Sequence, residues 1–495
     1  MKFGFRVDAG DQVGFGHFFR ALALGSSLRD LGHDVSFITH DTPLWAASLA
    51  ASESIAVVRL KNGESLEFEI GEPNTFNLST DDAARTVSAS KRLELDLLIF
   101  DHYGIGQEWV DEVSSSGVKL MQIADDRAID GLDWVLDYGF DASLEKHGLD
   151  TKLETKSLLG PTYAALPSRQ PKALVRGYAQ SKDTKPLALV ALGSAVPADV
   201  LDGIADAYRS NSRRFDMCIV SNTKSENERL GPGLTWLSQV DGLAHLLAQA
   251  SFAVTSGGVT MYERIAWGVP GVAIKTAENQ SPAFRQLVSE GLGTDTFLDL
   301  GDLVADHLLE QIATAVDGES SEQRCLLQSK LDLRGSMRVA LALTDSYDKA
   351  LMTVRHHESR DAPLLLRWAN DSYARSMSLK SGKIMPAEHL AWLAKAEIQK
   401  VQILIFEYRG VPCGQVRFEP TKTGTIISYM LDQFFRGKGL SNQMIELALE
   451  TAAIGDEVTA LIKHSNSRSR VVLEQHGFLL DSTKKNYIVL KLLNA

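Results

Sequence analysis

The chain has 495 residues, of which 44% are hydrophobic and 23% are charged, and its formal net charge is −12. This balance is typical of a globular protein of two or three domains, and the acidic charge without a lysine or arginine run argues against a nucleic-acid partner. No apolar run is long enough to span a bilayer, no secretory signal opens the chain, and three scattered cysteines suit a reducing compartment, so we expect a cytoplasmic protein without a membrane partner.

The first predicted strand, Phe3 to Asp8, leads into a glycine-flanked turn that contains a histidine. The turn reads Gly14-Phe15-Gly16-His17-Phe18-Phe19-Arg20, and an apolar period of helical type continues from it to Gly32. Such a turn lies at the carboxyl edge of a parallel sheet, where open α/β proteins bind ligands. His17 can exchange a proton near neutral pH, and the helix amino terminus favours an anion. A glycine-rich nucleotide turn that happens to contain a histidine explains the same pattern.

Further predicted strands in the first third alternate with helical segments, which is typical of βαβ units and a parallel sheet. They cover Val35 to Ile38, Leu97 to Phe100, Val118 to Ile123 and Trp134 to Leu136. Polar residues lie at three successive strand ends, among them Asp101-His102-Tyr103 and Asp125-Asp126. We expect these groups to face the same crevice as His17, although each one alone also fits a helix cap or a solvated turn.

The alternation of strands and helices begins again after Gly160-Pro161-Thr162-Tyr163. The predicted strands are Leu187 to Leu192, Met217 to Val220, Ala253-Val254 and Val272 to Ile274. Between the last two, Thr255-Ser256-Gly257-Gly258-Val259-Thr260 leads into a predicted helix from Met261 to Trp267. Glycine amides at a helix start form a phosphate cradle, and Glu263 one turn later can accept hydrogen bonds from a ribose. The alternative is a tight turn with a solvent-facing glutamate.

Two tandem α/β units across a cleft are the GT-B arrangement of nucleotide-sugar enzymes, and residues 1–345 resemble one family of this kind. It is the UDP-sugar hydrolase family of pseudaminic acid biosynthesis, which cleaves UDP from UDP-2,4-diacetamido-2,4,6-trideoxy-β-L-altropyranose. The resemblance is carried, in the family's order, by Arg6, Asp8, Gly14-Phe15-Gly16-His17, Arg20, Asp101-His102-Tyr103, Gly160-Pro161, Tyr163, Ser256-Gly257-Gly258, Glu263 and Asn279-Gln280. The chain departs from the family at Leu192-Gly193-Ser194-Ala195, where a glycine-glycine-serine-aspartate turn is usual, and at 164–168, which lack the usual arginine.

The resemblance implies roles for the matched residues. His17 would be the general base for a water that attacks the anomeric carbon from the face opposite UDP, and Tyr103 and Asn279 would position that water or the sugar. The residues implied to bind UDP or the sugar are Arg6, Asp8, Gly14, Gly16, Arg20, Ser256, Gly257, Gly258, Glu263 and Gln280. No Asp-x-Asp motif presents a metal to the diphosphate, and Asp125-Asp126 is a weak substitute, so we expect metal-independent hydrolysis.

The last third of the chain has a different character. Ser346 to Asp361 indicates a charged helical connector, and the predicted strands that follow are Val401 to Phe406, Gly414 to Phe418 and Ile426 to Leu431. Next, Arg436-Gly437-Lys438-Gly439 opens a helix, and a basic glycine loop at a helix start binds pyrophosphate through its amides. With Asn466 and Gly477-Phe478, this pattern resembles a GNAT acetyltransferase of the sort that acetylates amino groups on nucleotide sugars. The resemblance implies acetyl-CoA contacts at Leu431, Arg436, Gly437, Lys438, Gly439, Leu440 and Asn466.

The catalytic groups of this last domain do not follow the pattern of its relatives. GNAT enzymes often carry a tyrosine seven positions after the asparagine, where this chain has Leu473. Related sugar acetyltransferases often carry a glutamate on the strand before the loop, where this chain has Ile426. The candidate substitutes are Glu388, His389, Tyr429 and His464. A domain that binds CoA without using it is the alternative.

The predicted fold is α/β, with a GT-B-like pair of Rossmann-type domains followed by a GNAT domain of α+β type. The predicted boundaries are 1–165, 166–345, a linker over 346–361, and 362–495. The predicted function is metal-independent inverting hydrolysis of a UDP-sugar together with acetyl-CoA-dependent N-acetylation of a UDP-4-amino sugar. A GT-B glycosyltransferase and a non-catalytic nucleotide-sugar-binding partner remain open. No apolar patch in residues 1–345 suggests a lipid acceptor, which disfavours the glycosyltransferase.

Overall fold

The computed structural model divides the chain into two compact units. The first comprises Met1–Glu319 and Lys330–Thr344, and the second comprises Ser320–Ser329 and Asp345–Ala495. The structure describes residues 1–10, 15–40, 42–60, 80–125, 127–148, 155–167, 185–193, 196–210, 214–221, 233–237, 240, 242–276, 284–285, 287, 289–290, 292, 298–299, 304–317, 321–345, 347–452 and 457–493. Within these ranges, no helix is both long and apolar enough to cross a membrane.

The amino-terminal half of the first unit is built on a seven-stranded parallel sheet. Its strands are β1 (Lys2–Arg6), β2 (Asp34–Thr39), β3 (Ala56–Arg59), β4 (Leu97–Phe100), β5 (Lys119–Ile123), β6 (Trp134–Asp137) and β7 (Lys156–Leu159), in the order β3-β2-β1-β4-β5-β6-β7. Its helices are α1 (Gly16–Asp30), α2 (Leu44–Ser52), α3 (Thr80–Leu93) and α4 (Gln107–Ser114). The strand order reverses between β1 and β4, which is where open α/β sheets bind ligands.

The carboxyl-terminal half of this unit repeats the same plan. Its parallel strands are β8 (Leu187–Ala191), β9 (Asp216–Val220), β10 (Leu234–Leu237), β11 (Ala250–Ser256), β12 (Gly271–Lys275) and β13 (Leu298–Asp299), in the order β10-β9-β8-β11-β12-β13. The helices along this part of the chain are α5 (Ala198–Ser210), α6 (Ala244–Leu247), α7 (Val259–Ala266), α8 (Ala305–Asp317), α9 (Ser321–Lys330) and α10 (Gly335–Thr344). Every residue of β11 is buried, because this central strand is covered by apolar side chains on both faces.

The chain returns from the second sheet to the first half of the unit through α10. The Ser336 hydroxyl donates to the Leu166 carbonyl at 2.8 Å, and Arg338 donates to the Thr162 carbonyl at 3.1 Å. Arg338 also forms an ion pair with Asp332 at 2.7 Å, which neutralises its buried guanidinium. The two bonds to the Leu166 and Thr162 carbonyls join residues 170 and 176 positions apart, and they tie α10 to the end of the first half.

The second unit is a mixed sheet with helices. Its strands are β14 (Met352–His356), β15 (Gln402–Tyr408), β16 (Val411–Pro420), β17 (Thr425–Leu431), β18 (Glu457–Lys463), β19 (Leu479–Thr483) and β20 (Tyr487–Leu493), in the order β14-β15-β16-β17-β18-β20-β19. Its further helices are α11 (Ala362–Ala369), α12 (Ser372–Met377), α13 (Pro386–Ile398), α14 (Leu440–Thr451) and α15 (Ser467–Gln475). Neighbouring strands are antiparallel except for β17 and β18.

The predicted strands of the first unit lie where the sequence indicates, within a few residues at each end. The helix after the histidine turn also ends as expected, with Gly32 just beyond it at φ +86°. The prediction for 346–361 as a helical connector is wrong. Within this stretch Met352–His356 forms the edge strand β14, which pairs with β15, so the sheet of the second unit begins before residue 362.

Candidate functional site

His17 lies in the first turn of α1 and is bonded to a carboxylate that follows β4. Its Nδ1 is 2.6 Å from Oδ1 of Asp101, and both side chains are buried. An Arg20 nitrogen also lies 2.8 Å from Nδ1. When Nδ1 carries the ring proton, it donates to the Asp101 carboxylate and Nε2 keeps its lone pair. This arrangement gives His17 a nitrogen that can take a proton from a bound molecule.

Arg20, one turn after His17, holds the carboxylates around the histidine. Its guanidinium donates to Asp101 at 2.7 and 2.8 Å and to Asp125 at 2.6 and 2.8 Å. The Tyr103 hydroxyl also donates to Asp125, at 2.8 Å, and the Tyr103 ring meets the His17 ring edge to face at 4.8 Å. Burial opposes the charge of Asp125, but Arg20 outweighs it and lowers the Asp125 pKa to about 2. The expectation that these strand ends share one crevice with His17 is confirmed.

Arg6 and Asp8 lie beneath this cluster at the end of β1. The Arg6 guanidinium is fully buried and pairs with Asp8 and Asp82, each at 2.8 Å. His102 approaches Asp8 at 3.5 Å, and burial together with Arg6 lowers the His102 pKa to about 4, so its ring is neutral. Because Arg6 has no exposed surface, we assign it to positioning Asp8 and not to the ligand contact that the resemblance implies.

The serine-glycine turn of the second half connects β11 to α7. The Gly257 N–H donates to the Ile274 carbonyl at 3.2 Å, so it is not available to a phosphate, contrary to the expectation from sequence. The Ser256 and Thr260 hydroxyl oxygens are 3.1 Å apart. Gly258 immediately precedes α7. The polar groups that this turn can offer a ligand are the amino terminus of that helix and the Ser256 hydroxyl.

The starts of α1 and α7 face each other within the first unit. A Cβ placed on Gly16 would lie 3.9 Å from Cγ2 of Val259, the first residue of α7. Behind this contact, Tyr262 stacks on Phe140 at 5.6 Å and meets Tyr138 edge to face at 5.2 Å. Each helix amino terminus carries a partial positive charge, so their convergence next to His17 favours an anionic ligand.

Glu263 lies on the second turn of α7. Its side chain is partly buried and makes no hydrogen bond or ion pair within the described residues. Burial raises the Glu263 pKa from 4.5 to about 7. A desolvated carboxyl group without a protein partner fits a position where a ligand supplies the hydrogen bond.

Several predicted site residues lie outside the residues that the structure describes: Gly14, Asp126, Asn279 and Gln280. Among the described residues, no group of three or more histidine, cysteine, aspartate or glutamate side chains is arranged to hold a metal ion. Leu44 and Trp45, at the start of α2, expose 80% and 38% of their surface, and the Trp45 ring lies 5.1 Å from the Phe15 ring. These two apolar side chains are thus exposed beside the His17 turn.

In the second unit, the parallel strands β17 and β18 separate along their length. They pair only from Thr425 to Ile427, against Val458 to Ala460, although β17 continues to Leu431. A gap therefore opens toward the carboxyl ends of the two strands, and Leu431 lies at its edge. Backbone N–H and C=O groups of β17 beyond Ile427 can therefore form hydrogen bonds with a ligand in this gap.

The loop Arg436-Gly437-Lys438-Gly439 begins α14 directly beyond this gap. Gly437 and Gly439 have φ values of +78° and +75°, which side-chain-bearing residues rarely adopt. The Arg436 guanidinium donates to Asp371 at 2.7 Å and to the Leu431 carbonyl at 3.1 Å. Lys438 contacts the Tyr347 hydroxyl and lies 3.6 Å from the Phe434 ring centroid, and burial lowers its pKa to about 8. The loop therefore offers backbone amides at the start of α14. Its basic side chains, Arg436 and Lys438, already contact Asp371 and Tyr347.

The four candidate bases of this unit lie in different surroundings. His389 is buried and donates to the Ala362 carbonyl at 2.9 Å, and burial lowers its pKa. Glu388 is exposed on α13, and burial raises the pKa of Tyr429. Nε2 of His464 donates to the Lys484 carbonyl at 2.9 Å, so its Nδ1 keeps a lone pair. His464 also lines a cavity, whereas the exposed Glu388 is not among the residues that line it.

The structure also places the three other residues that the GNAT resemblance singles out, namely Asn466, Leu473 and Ile426. The Asn466 side-chain oxygen accepts from the Ser469 N–H at 3.2 Å and caps α15, so a contact with acetyl-CoA would fall to its amide nitrogen. Leu473 is buried on α15. Ile426 lies in β17 opposite Glu419 of β16.

Comparisons with known proteins match parts or nearly all of the chain. The Acetyltransferase (GNAT) domain family matches residues 352–479. The spore coat polysaccharide biosynthesis protein SpsG of Bacillus subtilis (strain 168) is 24% identical over 367 residues, which cover 71% of this chain and 100% of that protein. The uncharacterized protein MJ1062 of Methanocaldococcus jannaschii is 21% identical over 517 residues, with 98% of each chain covered.

A solved structure matches about two thirds of the chain. The glycotransferase of kitacinnamycin superposes with a TM-score of 0.52 and 17% identity over 69% of this chain and 97% of its own. At this identity the likeness shows the fold alone, and it confirms the predicted architecture. The chain joins a GT-B-like pair of Rossmann-type domains with parallel sheets to a carboxyl-terminal GNAT acetyltransferase domain with a mixed sheet.

Proposed function

We propose that the first unit hydrolyses a UDP-linked 2,4-diacetamido-2,4,6-trideoxyhexose to UDP and the free sugar, with inversion and without a metal. The observation that carries this proposal is the buried His17–Asp101 pair beside the facing amino termini of α1 and α7. A general base and an anion-binding surface next to each other suit the displacement of a nucleoside diphosphate by water.

The reaction follows from the positions of these groups. Nε2 of His17 takes a proton from water while the water oxygen bonds to the anomeric carbon. The bond from that carbon to the diphosphate oxygen breaks, and its electron pair leaves with UDP. Asp101 stabilises the protonated imidazole, and the amino terminus of α7 with Ser256 stabilises the charge on the leaving diphosphate.

The remaining groups of the site bind and position the substrate. Glu263, which lacks a protein partner among the described residues, would accept a hydrogen bond from the ribose. The Tyr103 ring packs against the His17 ring. Contacts of Asn279 and Gln280 with the sugar are proposed from the resemblance alone. Metal independence is proposed because Asp125, the weak metal-ligand candidate of the sequence, is already engaged by Arg20 and Tyr103.

A GT-B glycosyltransferase is the second candidate. The His17–Asp101 pair can equally deprotonate the hydroxyl of an acceptor, and the fold is shared with a glycosyltransferase. The specific observation in its favour is the exposure of the Leu44 and Trp45 side chains beside Phe15, which an apolar acceptor can contact. The two candidates differ in whether UDP is released without an acceptor.

The test is UDP release from the UDP-linked sugar with no acceptor present, with and without EDTA. We expect release in both conditions, and we expect His17→Ala to slow it at least about a hundredfold while leaving UDP affinity nearly unchanged. Release that requires an added acceptor would support glycosyl transfer. Loss of release in EDTA, with recovery in magnesium or manganese, would refute metal independence.

We further propose that the second unit transfers an acetyl group from acetyl-CoA to the amino group of a UDP-4-amino sugar. The widening gap between β17 and β18 and the glycine loop at α14 support a site for the pantetheine arm and the pyrophosphate. In the step, the amine nitrogen bonds to the thioester carbonyl carbon, the carbon–sulfur bond breaks, and CoA leaves as the thiolate. Nδ1 of His464 is proposed to take the amine proton.

This second activity is tested by thiol release from acetyl-CoA between pH 6 and pH 9, with and without the amino sugar. We expect slow, sugar-dependent release that rises with pH, because a free amine near neutral pH is mostly protonated. Acetyl-CoA binding without sugar-dependent release at any pH would mean a CoA-binding domain without this activity. The relative named for spore coat polysaccharide biosynthesis, which covers 71% of this chain, supports a role in sugar metabolism for the matched part.

A further inference from the structure

A cavity of about 350 Å³ lies at the carboxyl end of β18 in the second unit. It is lined by Leu379, Lys463, His464, Ser465, Lys485 and Asn486. Lys463 is the last residue of β18 and pairs with Tyr487, the first residue of β20, which brings the turn between β19 and β20 to the cavity. Leu379 comes from the segment after α12. The cavity is thus assembled from three separate parts of the chain.

The lining carries positive charge that no lining carboxylate balances. The six residues that line it in the described part of the unit include two lysines and no acidic residue. The Lys463 ammonium donates to the Ser376 carbonyl at 2.9 Å, which fixes its position, and it forms no ion pair with any residue that the structure describes. Lys485 is exposed and forms no ion pair within the described residues.

Other cations on the same sheet are paired. Lys491 lies 3.0 Å from Glu457, Arg417 lies 2.6 Å from Glu419, and Arg355 lies 2.7 Å from Asp361. Two unpaired ammonium groups on one concave surface therefore differ from the usual arrangement of this unit. Concave surfaces lined by one sign of charge concentrate ligands of the opposite sign.

The position of the cavity relates it to the proposed acetyl transfer. β17 and β18 are parallel, so the gap that opens between them and the cavity at the end of β18 lie at the same edge of the sheet. His464, the candidate proton acceptor, belongs to the lining, and its Nε2 is held by the Lys484 carbonyl. An acceptor whose anionic part occupies the cavity would therefore have its amine close to the end of the gap.

We propose that this cavity binds the diphosphate of a nucleoside-diphosphate-linked amino sugar, with Lys463 and Lys485 as the phosphate-binding side chains. The inference rests on the acetyl transfer proposed above and names the residues that select its acceptor. Phosphate groups reach this unit from two sources, the acceptor and CoA. The cavity is assigned to the acceptor because the glycine loop that suits the CoA pyrophosphate follows β17, the other strand of the gap.

The kinetic test compares Lys485→Ala with Lys485→Arg in the full chain by thiol release from acetyl-CoA. The acceptors are a UDP-linked 4-amino sugar and the same amino sugar without the nucleotide. Losing one charge-assisted bond should raise KM for the UDP-linked acceptor at least about tenfold, with little change in kcat and none for the free sugar. Lys485→Arg should restore most of the affinity.

The matched control is Lys422→Ala, an exposed lysine in the turn between β16 and β17, at the opposite end of the sheet. It should leave every kinetic constant unchanged. An unchanged KM for the UDP-linked acceptor in Lys485→Ala would overturn the proposal. A raised KM for acetyl-CoA in place of the acceptor would also overturn it and assign the cavity to a CoA phosphate.

A binding measurement separates the cavity from the acetyl-transfer proposal. The imidazole NMR signals of His464, assigned with His464→Gln, report on the cavity even though UDP also has a proposed site in the first unit. We expect UDP to shift these signals in the full chain and Lys485→Ala to weaken the response at least about tenfold. A shift without thiol release would refute acetyl transfer but keep the cavity assignment. No shift at millimolar UDP would refute the cavity assignment itself.

Discussion

Asp101 is shared by two cationic or potentially cationic groups of the first site. Its Oδ1 accepts from His17 at 2.6 Å and from Arg20 at 2.7 Å, and its Oδ2 accepts from Arg20 at 2.8 Å. The carboxylate therefore fixes both the tautomer of the imidazole and the position of the guanidinium. Asp125, held by the same arginine, does not touch the imidazole. The two aspartates thus allow the orientation of His17 to be tested apart from the charge of Arg20.

Asp101→Asn should slow UDP release at least about a hundredfold, because an amide nitrogen facing Nδ1 favours the tautomer in which Nε2 carries the proton. UDP affinity should change little, since Asp101 faces the histidine and not the nucleotide. The measurement is acceptor-free UDP release across pH, on variants whose folding is verified by circular dichroism. Asp125→Asn is the control and should lose much less activity. Equal losses in the two variants would contradict an orienting role for Asp101.

The raised pKa of Glu263 predicts a pH-dependent contribution to stability. The folded-state pKa is about 7 and the ordinary value is 4.5, so between these values the folded chain binds more protons than the unfolded chain. The contribution of Glu263 is then fully present below pH 4.5 and is lost as the pH rises through 7. Glu263→Gln keeps the shape and removes the titration.

We therefore expect Glu263→Gln, relative to the parent, to gain thermal stability at pH 8 that is absent at pH 4.5. The measurement is thermal unfolding at both pH values without nucleotide. An equal difference at the two pH values would show that burial does not perturb this carboxyl group. Glu263→Ala should in addition weaken UDP binding, at a cost of about 1.5–3 kcal/mol for one bond to a charged group.

At the scale of elements, the glycine loop before α14 has positive φ angles and is proposed to bind the pyrophosphate of acetyl-CoA. Gly439→Val should weaken acetyl-CoA binding more than about tenfold, because a β-branched residue resists φ +75° and the loop amides would no longer converge. Gly410→Val is the matched control, since Gly410 has φ +76° in the turn between β15 and β16, away from the loop. Both variants should lose stability, and only the first should lose acetyl-CoA in calorimetry. Similar affinities in the two would contradict the assignment of the loop.

The central strands were predictable because their sequences are apolar on both faces. Leu97–Phe100 is buried at every position, and Leu187–Ala191 is nearly so, which is what a parallel sheet covered by helices requires. Met352–His356 could not be recognised in the same way. Its edge position leaves it half exposed, with polar residues alternating among apolar ones, and it resembles a charged connector.

The site was predictable only where its chemistry is local in sequence. The histidine in its turn and the glycine loops are short motifs, whereas the bonds from Arg6 to Asp82 and from Arg436 to Asp371 join residues 76 and 65 positions apart. Likewise, the Gly257 N–H is occupied because β11 pairs with β12. Such partners depend on which strands become neighbours, and no local pattern encodes that.

At the scale of the whole molecule, the second unit does not begin where the sequence suggests. It includes α9, where Cys325 packs with Ala362 and Leu366, and it includes β14. We expect a fragment of residues 320–495 to fold and bind acetyl-CoA, and a fragment of residues 360–495 to fail at both, because it lacks an edge strand and an apolar cover. Circular dichroism and calorimetry provide the measurement. Equal acetyl-CoA binding by both fragments would contradict this boundary.

The two proposed activities act on the same kind of molecule, so their order follows from chemistry. Hydrolysis removes the nucleotide that the cavity of the second unit is proposed to hold, and acetylation must therefore come first. The central claim is that water, and no other acceptor, takes the sugar from UDP in the first unit.

Proton NMR of the full chain turning over a UDP-linked 2,4-diacetamido-2,4,6-trideoxyhexose, without an acceptor, tests that claim most directly. We expect UDP together with a free sugar whose first-formed anomer is inverted relative to the substrate, and we expect loss of both signals in His17→Ala. An intact substrate without acceptor, or a first-formed anomer with retained configuration, would contradict it.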